Sequence, residues 1–286
     1  MLIDSHSHVN FDVYRKDFKS VIDHCLVNNT WLINIGSDFK TSSKTIELTR
    51  DYGRGVYAVV GLHPIHVVDD VVESVIVDGQ KTEVVTPKEE FDYNKYRDLA
   101  KSSDKVVGLG EVGLDYFYFN DNDSDSLSKK NLQKEVFKKF IKLSQELNLP
   151  LVMHCRGHKD DPYGAYDDML EILSDTRHHH GVIHCFGGNL NQASKFVNLG
   201  FYVGFTGIIT FKKKSEDVQE VVRAVPLDKI LIETDSPFLT PEPHRGQRNE
   251  PYYVKFVAQK VAELKKITFD EVAIITTDNA KNLFSI

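Results

Sequence analysis

The 286-residue sequence predicts an α/β fold, a (β/α)8 TIM barrel forming a single domain over residues 1–286. Two observations carry that expectation. Eight short runs of apolar or β-branched residues recur along the chain, separated by longer amphipathic stretches; this is the rhythm of parallel strands joined by right-handed crossovers. The length also suits such a barrel, which commonly occupies about 250 residues in one domain. An open doubly wound sheet shares the local rhythm and is the alternative architecture.

In chain order the strand-like runs fall at residues 2–5, 31–36, 56–61, 106–110, 151–154, 182–184, 201–204 and 230–233. The clearest helical stretches are 131–147, 166–173, 191–198 and 217–225. Two segments break the rhythm. Residues 67–93 are acid-rich and contain Thr-Glu-Val-Val-Thr-Pro, which suits an additional strand pair. Residues 120–129 are polar and read as an exposed loop feeding the long helix. Both follow strand ends, where barrel loops surround an active site, so they are either walls of a substrate groove or solvated insertions.

Hydrophobic residues at 41% and aromatics at 10% support a sizeable buried core. With 27% charged residues and no apolar run of about 18 residues, neither a membrane span nor disorder is expected. The opening MLIDSHSHVN turns polar at position 4 and does not read as a secretory signal. Three cysteines fit a reducing, cytoplasmic setting better than a disulfide framework. A net charge of -7 argues against a broad nucleic-acid-coating surface, yet suits an enzyme that grips one or two phosphates. Nothing specifies an oligomer, so a monomer is expected.

The candidate site opens with Asp4-Ser5-His6-Ser7-His8. On an extended strand alternate side chains share a face, which turns His6 and His8 toward one ion, with Asp4 below them to orient a ligand. Glu111 closes Val-Val-Gly-Leu-Gly and should sit at a strand end; its two oxygens can bridge two cations, which an imidazole cannot do. Asp115 is the weaker alternative there and reads as loop support. His154 and His184 each close a short apolar strand. By alternation Cys155 and Cys185, which follow them, should face the helix layer; a disulfide between them stays open if the two strands are neighbours. Asp235 ends Ile-Leu-Ile-Glu-Thr-Asp as a ligand or general base. Glu233, one layer lower, needs a partner if buried, either a ligand histidine or a metal-bound water.

Any one of these residues could be an ordinary strand cap. Five strands that each end in His, Glu or Asp are different, because a barrel gathers its strand ends into one ring. His6, His8, Glu111, His154, His184 and Asp235 then offer four imidazoles and two carboxylates, a donor set for divalent Mg, Zn, Mn or Co. Two such ions roughly 3.5–4 Å apart would activate water for hydrolysis.

The blocks DSHSHVNFD, VGLHP, GLGEVGLDYF, LPLVMHCR, GVIHCFGGN, GFTGIITFKK, ILIETDSPFLTP and RGQRNEP together resemble the TatD family of metal-dependent deoxyribonucleases, within the amidohydrolase-like barrel enzymes. The resemblance implies that His6, His8, Glu111 and Asp235 hold one metal, that Glu111, His154 and His184 hold a second, and that Glu111 bridges them. It also implies a magnesium- or zinc-type nuclease that releases nucleotides from DNA 3′ ends. Cys155 stands where the family often carries a small or hydroxyl residue, and Gly187 where it often carries Ser or Gly; neither changes a ligand.

Four further features are read around this ring. His63, in Gly-Leu-His-Pro, is a phosphate or leaving-group contact, or structural. Arg156 offers a bidentate grip on phosphate, or is solvated or salt-bridged. Arg245 and Arg248 line the site, or pair with Glu250 and other loop carboxylates. His178–His180 precedes a strand, at the opposite barrel end, and is expected to be exposed.

Three functions compete. The first is a 3′→5′ exodeoxyribonuclease acting on single-stranded DNA or 3′ ends through metal-activated water, with Asp235 and Glu111 catalytic. The second is a metallo-amidohydrolase or esterase cleaving a small-molecule amide, lactone or ester, since fold does not fix substrate. The third, a non-catalytic binding protein, has no need of a full ligand set with open positions.

Overall fold

In the computed structural model the described residues are 1–68, 71–77, 80–119 and 124–286, with the side chains of 73–84 left aside. Eight parallel strands follow one another around a single sheet: β1 (Leu2–Ser7), β2 (Thr30–Ile35), β3 (Val56–Val60), β6 (Val106–Asp115), β7 (Leu151–Arg156), β8 (Gly181–Ile183), β9 (Tyr202–Phe205) and β10 (Ile230–Ile232). β4 (Val71–Val77) and β5 (Gln80–Thr86) form a separate antiparallel hairpin, the additional strand pair expected between 67 and 93.

Helices clothe the sheet: α1 (Phe18–Val27), α2 (Phe39–Thr49), α3 (Tyr93–Lys101), α4 (Ser124–Leu147), α5 (Gly164–Thr176), α6 (Leu190–Asn198), α7 (Glu216–Ala224), α8 (Val254–Lys265) and α9 (Phe269–Phe284). Among the described residues three start on reciprocal capping boxes, Asp38 with Thr41, Asn189 with Gln192 and Thr268 with Glu271, which satisfy backbone N–H groups that a helix start leaves unpaired. α4 begins at Ser124, so residues 124–129 are helical rather than the exposed loop expected; residues 120–123 of that loop lie outside the described residues.

The barrel interior is a packed core. Ile3, Ile33, Val59, Val107, Val152, Val182 and Leu231, one from each of seven strands, converge with Tyr202 of β9 on Leu283 and Phe284, where the end of α9 closes the barrel floor. The opposite side chains of the strands, Leu109, Met153, Ile183 and Val203 among them, pack against α4 to α8.

β1 and β10 complete the circle without a regular ladder. The Asp235 N–H donates to the His6 carbonyl at 2.9 Å and the His8 N–H to the Ser236 carbonyl at 2.8 Å. Below them the Asp4 carboxylate accepts from the Thr234 N–H at 2.9 Å and from its hydroxyl at 2.6 Å. Burial pushes the Asp4 carboxyl well above its ordinary value, against those bonds. Asp4 is thus a tie between β1 and β10, not the ligand-orienting group that alternation suggested. The cause is local: β1 spends three residues from Asp4 to Ser7 where β2 spends two, and this bulge breaks the alternation below His6.

Candidate metal centre

All eight residues predicted for the site lie in the C-terminal halves of the strands or in the loops just beyond. His6 is on β1 and His8 just past it, both buried. Glu111 does not end its strand. β6 runs on to Asp115, and its ladder with β7 shifts register between Gly110 and Val112, around Glu111. A Cβ on Gly110 would lie 2.3 Å from the Val152 carbonyl oxygen, so only glycine allows the strands to approach this closely. His154 lies within β7, and His184 follows β8 directly. Asp235 adopts a left-handed backbone, φ 55°, a conformation more accessible to Asp than to most residues.

The six ligand candidates converge. His6 Nε2 lies 3.1 Å from His8 Nε2, 3.7 Å from Glu111 Oε2 and 3.8 Å from Asp235 Oδ1. His8 Nε2 lies 3.7 Å from Glu111 Oε2 and 3.4 Å from Asp235 Oδ1. On the other side Glu111 Oε1 is 2.8 Å from His154 Nδ1 and 2.7 Å from His184 Nε2. Each carboxylate oxygen of Glu111 therefore faces a different pair of histidines.

Hydrogen bonds behind the rings settle which nitrogens are bare. His8 Nδ1 is 3.0 Å from the Ile35 carbonyl, which can only accept, so Nδ1 carries the proton and Nε2 presents a lone pair. His154 Nε2 is 3.0 Å from Asp115 Oδ2; it donates there and leaves Nδ1 bare. His184 Nδ1 has Glu233 Oε1 at 3.7 Å, beyond hydrogen-bond reach, and both it and His6 Nδ1 are buried without a partner. Facing inward are thus the bare nitrogens of His8 and His154, the Nε2 atoms of His6 and His184, and carboxylate oxygens, all at close quarters. Acceptors so crowded need protons or cations between them, and the donor types, N and O with partners fixing the far nitrogens, fit two divalent ions. The atoms of His6, His8 and Glu111, and of Glu111, His154 and His184, lie within 4.8 Å of one another in each set.

The electrostatics follow the same layout. Burial pushes the Glu111 carboxyl up, but His63, His184 and His154 more than offset this and hold it well below its ordinary value. Burial lowers His154 and His184, yet the carboxylates beside them, Asp115 and Glu111 for one and Glu111 and Glu233 for the other, raise both. His6 is lowered by burial and then by His184, whose ring stacks on it at 3.8 Å.

The remaining predictions divide. His63 is buried; its Nδ1 accepts from the Ile65 N–H at 3.2 Å, so its proton is on Nε2, 3.5 Å from Glu111 Oε1. Arg156 is 41% exposed at the mouth, with Nη1 3.9 Å from Asp115 Oδ2. Arg248 instead bonds both oxygens of Asp17, at 3.0 and 2.7 Å, and Glu250 at 3.1 Å, which makes it a loop anchor. Arg245 lies over the Phe211 ring at 3.8 Å. Glu233 accepts from the Cys185 N–H at 2.5 Å and from the Ser5 hydroxyl at 3.3 Å.

Cys155 faces the helix layer as expected, but Cys185 does not: its backbone turns left-handed, φ 44°, just past β8, and its sulfur meets the Thr206 hydroxyl at 3.5 Å. Both thiols are free. His178, expected at the surface, is buried between the Ser144 hydroxyl and the His180 carbonyl, at 3.3 and 2.9 Å, on the far side of the barrel. One contributor, Asn249, had little sequence signal, and Asp115, read as loop support, has a second partner that the sequence did not show. Asp115 orients His154 from 39 positions away, and Asn249 holds the Asp235 loop by donating to the Thr234 and Phe238 carbonyls.

A parallel barrel with buried histidine–carboxylate clusters at its strand ends defines the class of metal-dependent hydrolases with an amidohydrolase-like fold. Within that class the chain belongs to the TatD related DNase family, whose profile matches residues 3–285. It is 38% identical over 289 aligned positions to the uncharacterized metal-dependent hydrolase YabD of Bacillus subtilis, covering 100% of both chains. It is 40% identical to the uncharacterized metal-dependent hydrolase YcfH of Escherichia coli over 196 positions, 68% of this chain and 69% of that one. The crystal structure of the TatD homolog YjjV from Escherichia coli superposes with a TM-score of 0.81 at 25% identity, covering 100% and 98% of the two chains. Among the described residues, no helix is long and apolar enough to cross a membrane.

Proposed function

We propose that the protein hydrolyses phosphodiester bonds of DNA, releasing nucleotides from 3′ ends of single strands, with His6, His8, Glu111 and Asp235 holding one divalent ion and Glu111, His154 and His184 a second. The observation that carries this reading is Glu111, whose two oxygens face separate histidine pairs, within a chain of a DNase-related family. When bound, the ions supply Lewis acidity to water and neutralise charge on the attacked phosphoryl group.

The chain's own groups divide the remaining work. Asp235, whose side chain is 15% exposed against 6% for Glu111, is the carboxylate positioned to take a proton from incoming water. His63 directs its Nε2–H toward the centre and serves as donor to a phosphate or leaving oxygen. Arg156 pairs with phosphate at the rim, and the exposed Lys212, Lys213 and Lys214 of the loop after β9 add positive charge to the protein surface.

A matrix of divalent metals against 3′- and 5′-labelled DNA and RNA oligonucleotides, with ester and amide substrates alongside, tests the reading. Stepwise shortening from the 3′ end of DNA, lost in Asp235→Asn, is the expected result. Intact oligonucleotides beside cleaved esters or amides would overturn it in favour of a small-molecule hydrolase.

A further inference from the structure

The run Tyr116-Phe117-Tyr118-Phe119, directly after β6, splits its four rings between two environments. Tyr116 and Phe119 are buried at 3% and 5% exposure, whereas Phe117 and Tyr118 are each 38% exposed. The buried pair fastens the segment to the core, and the Tyr116 hydroxyl donates to Asp168 at 2.8 Å. The exposed pair stands at the barrel mouth in an edge-to-face arrangement, 5.0 Å between centroids and 85° between planes. The guanidinium carbon of Arg156 lies 3.6 Å from the Phe117 centroid and 5.8 Å from that of Tyr118.

This platform is coupled to the candidate metal centre through one carboxylate. Asp115 Oδ1 accepts the Phe117 N–H at 3.0 Å, while Asp115 Oδ2 lies 3.0 Å from His154 Nε2 and 3.9 Å from Arg156 Nη1. The carboxylate that orients His154 thus also fixes the backbone carrying the exposed rings. Two flat rings and a guanidinium plane, with N–H groups around its edge, match one ligand chemistry: a planar heteroaromatic base attached to a phosphate.

We propose that Phe117, Tyr118 and Arg156 form a subsite that stacks an unpaired nucleobase beside the scissile phosphate. This rests on the nuclease reading for its substrate and adds a cause for single-strand preference. A base inside a duplex has both faces covered by its neighbours and cannot reach the rings, whereas an unpaired base can. Phe117 and Tyr118 set where the base lies, and Arg156 serves both the stack and the adjoining phosphate.

The test uses the whole chain and single-stranded oligonucleotides carrying 2-aminopurine at or next to the 3′ end. Binding is followed by fluorescence quenching in EDTA, where no hydrolysis interferes. Wild type is expected to quench the probe, and Phe117→Ala and Arg156→Ala to bind it about five- to hundredfold more weakly, the range for loss of a base–aromatic stack. Phe117→Trp should restore quenching, which a purely structural role would not predict. With metal present, the preference in kcat/KM for an intact strand over one abasic at that position should shrink in Phe117→Ala. Equal quenching by wild type and Phe117→Ala, or none by wild type, overturns the subsite. Quenching that depends on Phe117, in a protein that cleaves no oligonucleotide with any metal, supports the subsite and removes the nuclease reading instead.

Discussion

Asp115 holds His154 from behind: Oδ2 lies 3.0 Å from Nε2, while Nδ1 of the same ring faces Glu111 Oε1 at 2.8 Å. A carboxylate can only accept, so it fixes the tautomer in which the inward nitrogen is free. Asp115→Asn places an amide there whose N–H can donate to Nε2, which moves the ring proton onto the metal-facing nitrogen. Affinity for divalent metal should fall about 10- to 100-fold, the usual cost of losing such a partner. Competition with a chromogenic chelator measures it, and unchanged affinity would refute the tautomer argument.

Glu111 is the point through which both proposed ion sites pass. Glu111→Gln keeps the shape but leaves one oxygen and no negative charge. Turnover should drop by about a thousandfold, equivalent to ~4 kcal/mol of lost transition-state stabilisation. Elemental analysis should find fewer than two ions per chain. Full loading in the variant would show that Glu111 does not bridge.

Gly204 is required by Glu233. A Cβ at position 204 would lie 2.6 Å from Glu233 Oε2, and Glu233 has little room to retreat, because it accepts the Cys185 N–H and the Ser5 hydroxyl. Gly204→Ala should destabilise the fold by about 1–3 kcal/mol through overpacking. It should also weaken metal binding, since Glu233 stands behind His184. Thermal melts with and without metal would register both effects; an unaltered melting temperature would mean that Glu233 moves freely.

The Arg248–Asp17 pair gives a pH signature away from the ring. Arg248's hydrogen bonds hold the Asp17 carboxyl below its ordinary value of 3.8. A carboxylate with a depressed folded value contributes stability above its unfolded value and loses it as pH falls through the folded one. The melting-temperature gap between wild type and Asp17→Asn should therefore be present at pH 5 and close progressively below 3.8. Because the Asp17 side chain is 42% exposed, the gap should be small and shrink with salt.

The eight barrel strands were legible in the sequence because each is a short apolar run flanked by polar turns, and burial on both faces demands that composition. The ring of His6, His8, Glu111, His154, His184 and Asp235 was legible for a related reason: a titratable side chain that follows an apolar run stands out locally. What alternation could not reveal depends on the neighbouring strand. The bulge after Asp4 turns that carboxylate toward Thr234, the register shift around Glu111 lets β6 run on to Asp115, and the left-handed turn at Cys185 redirects its thiol. Arg248 was ambiguous because its partner, Asp17, lies 231 positions away.

The join between β1 and β10 also bears on when the protein can work. Backbone bonds from Asp235 and Ser236 reach His6 and His8, so the first and last members of the ring are brought into place by the same contacts that close the barrel. During synthesis, a chain that has emerged only as far as β9 possesses His6, His8, Glu111, His154 and His184, with β1 held on β2, but lacks Asp235 and the backbone bonds that fix His6 and His8 from the other side. Competence therefore arrives late and all at once, after the β10 segment has left the ribosome, and an unfinished or truncated product should be inert rather than partly active.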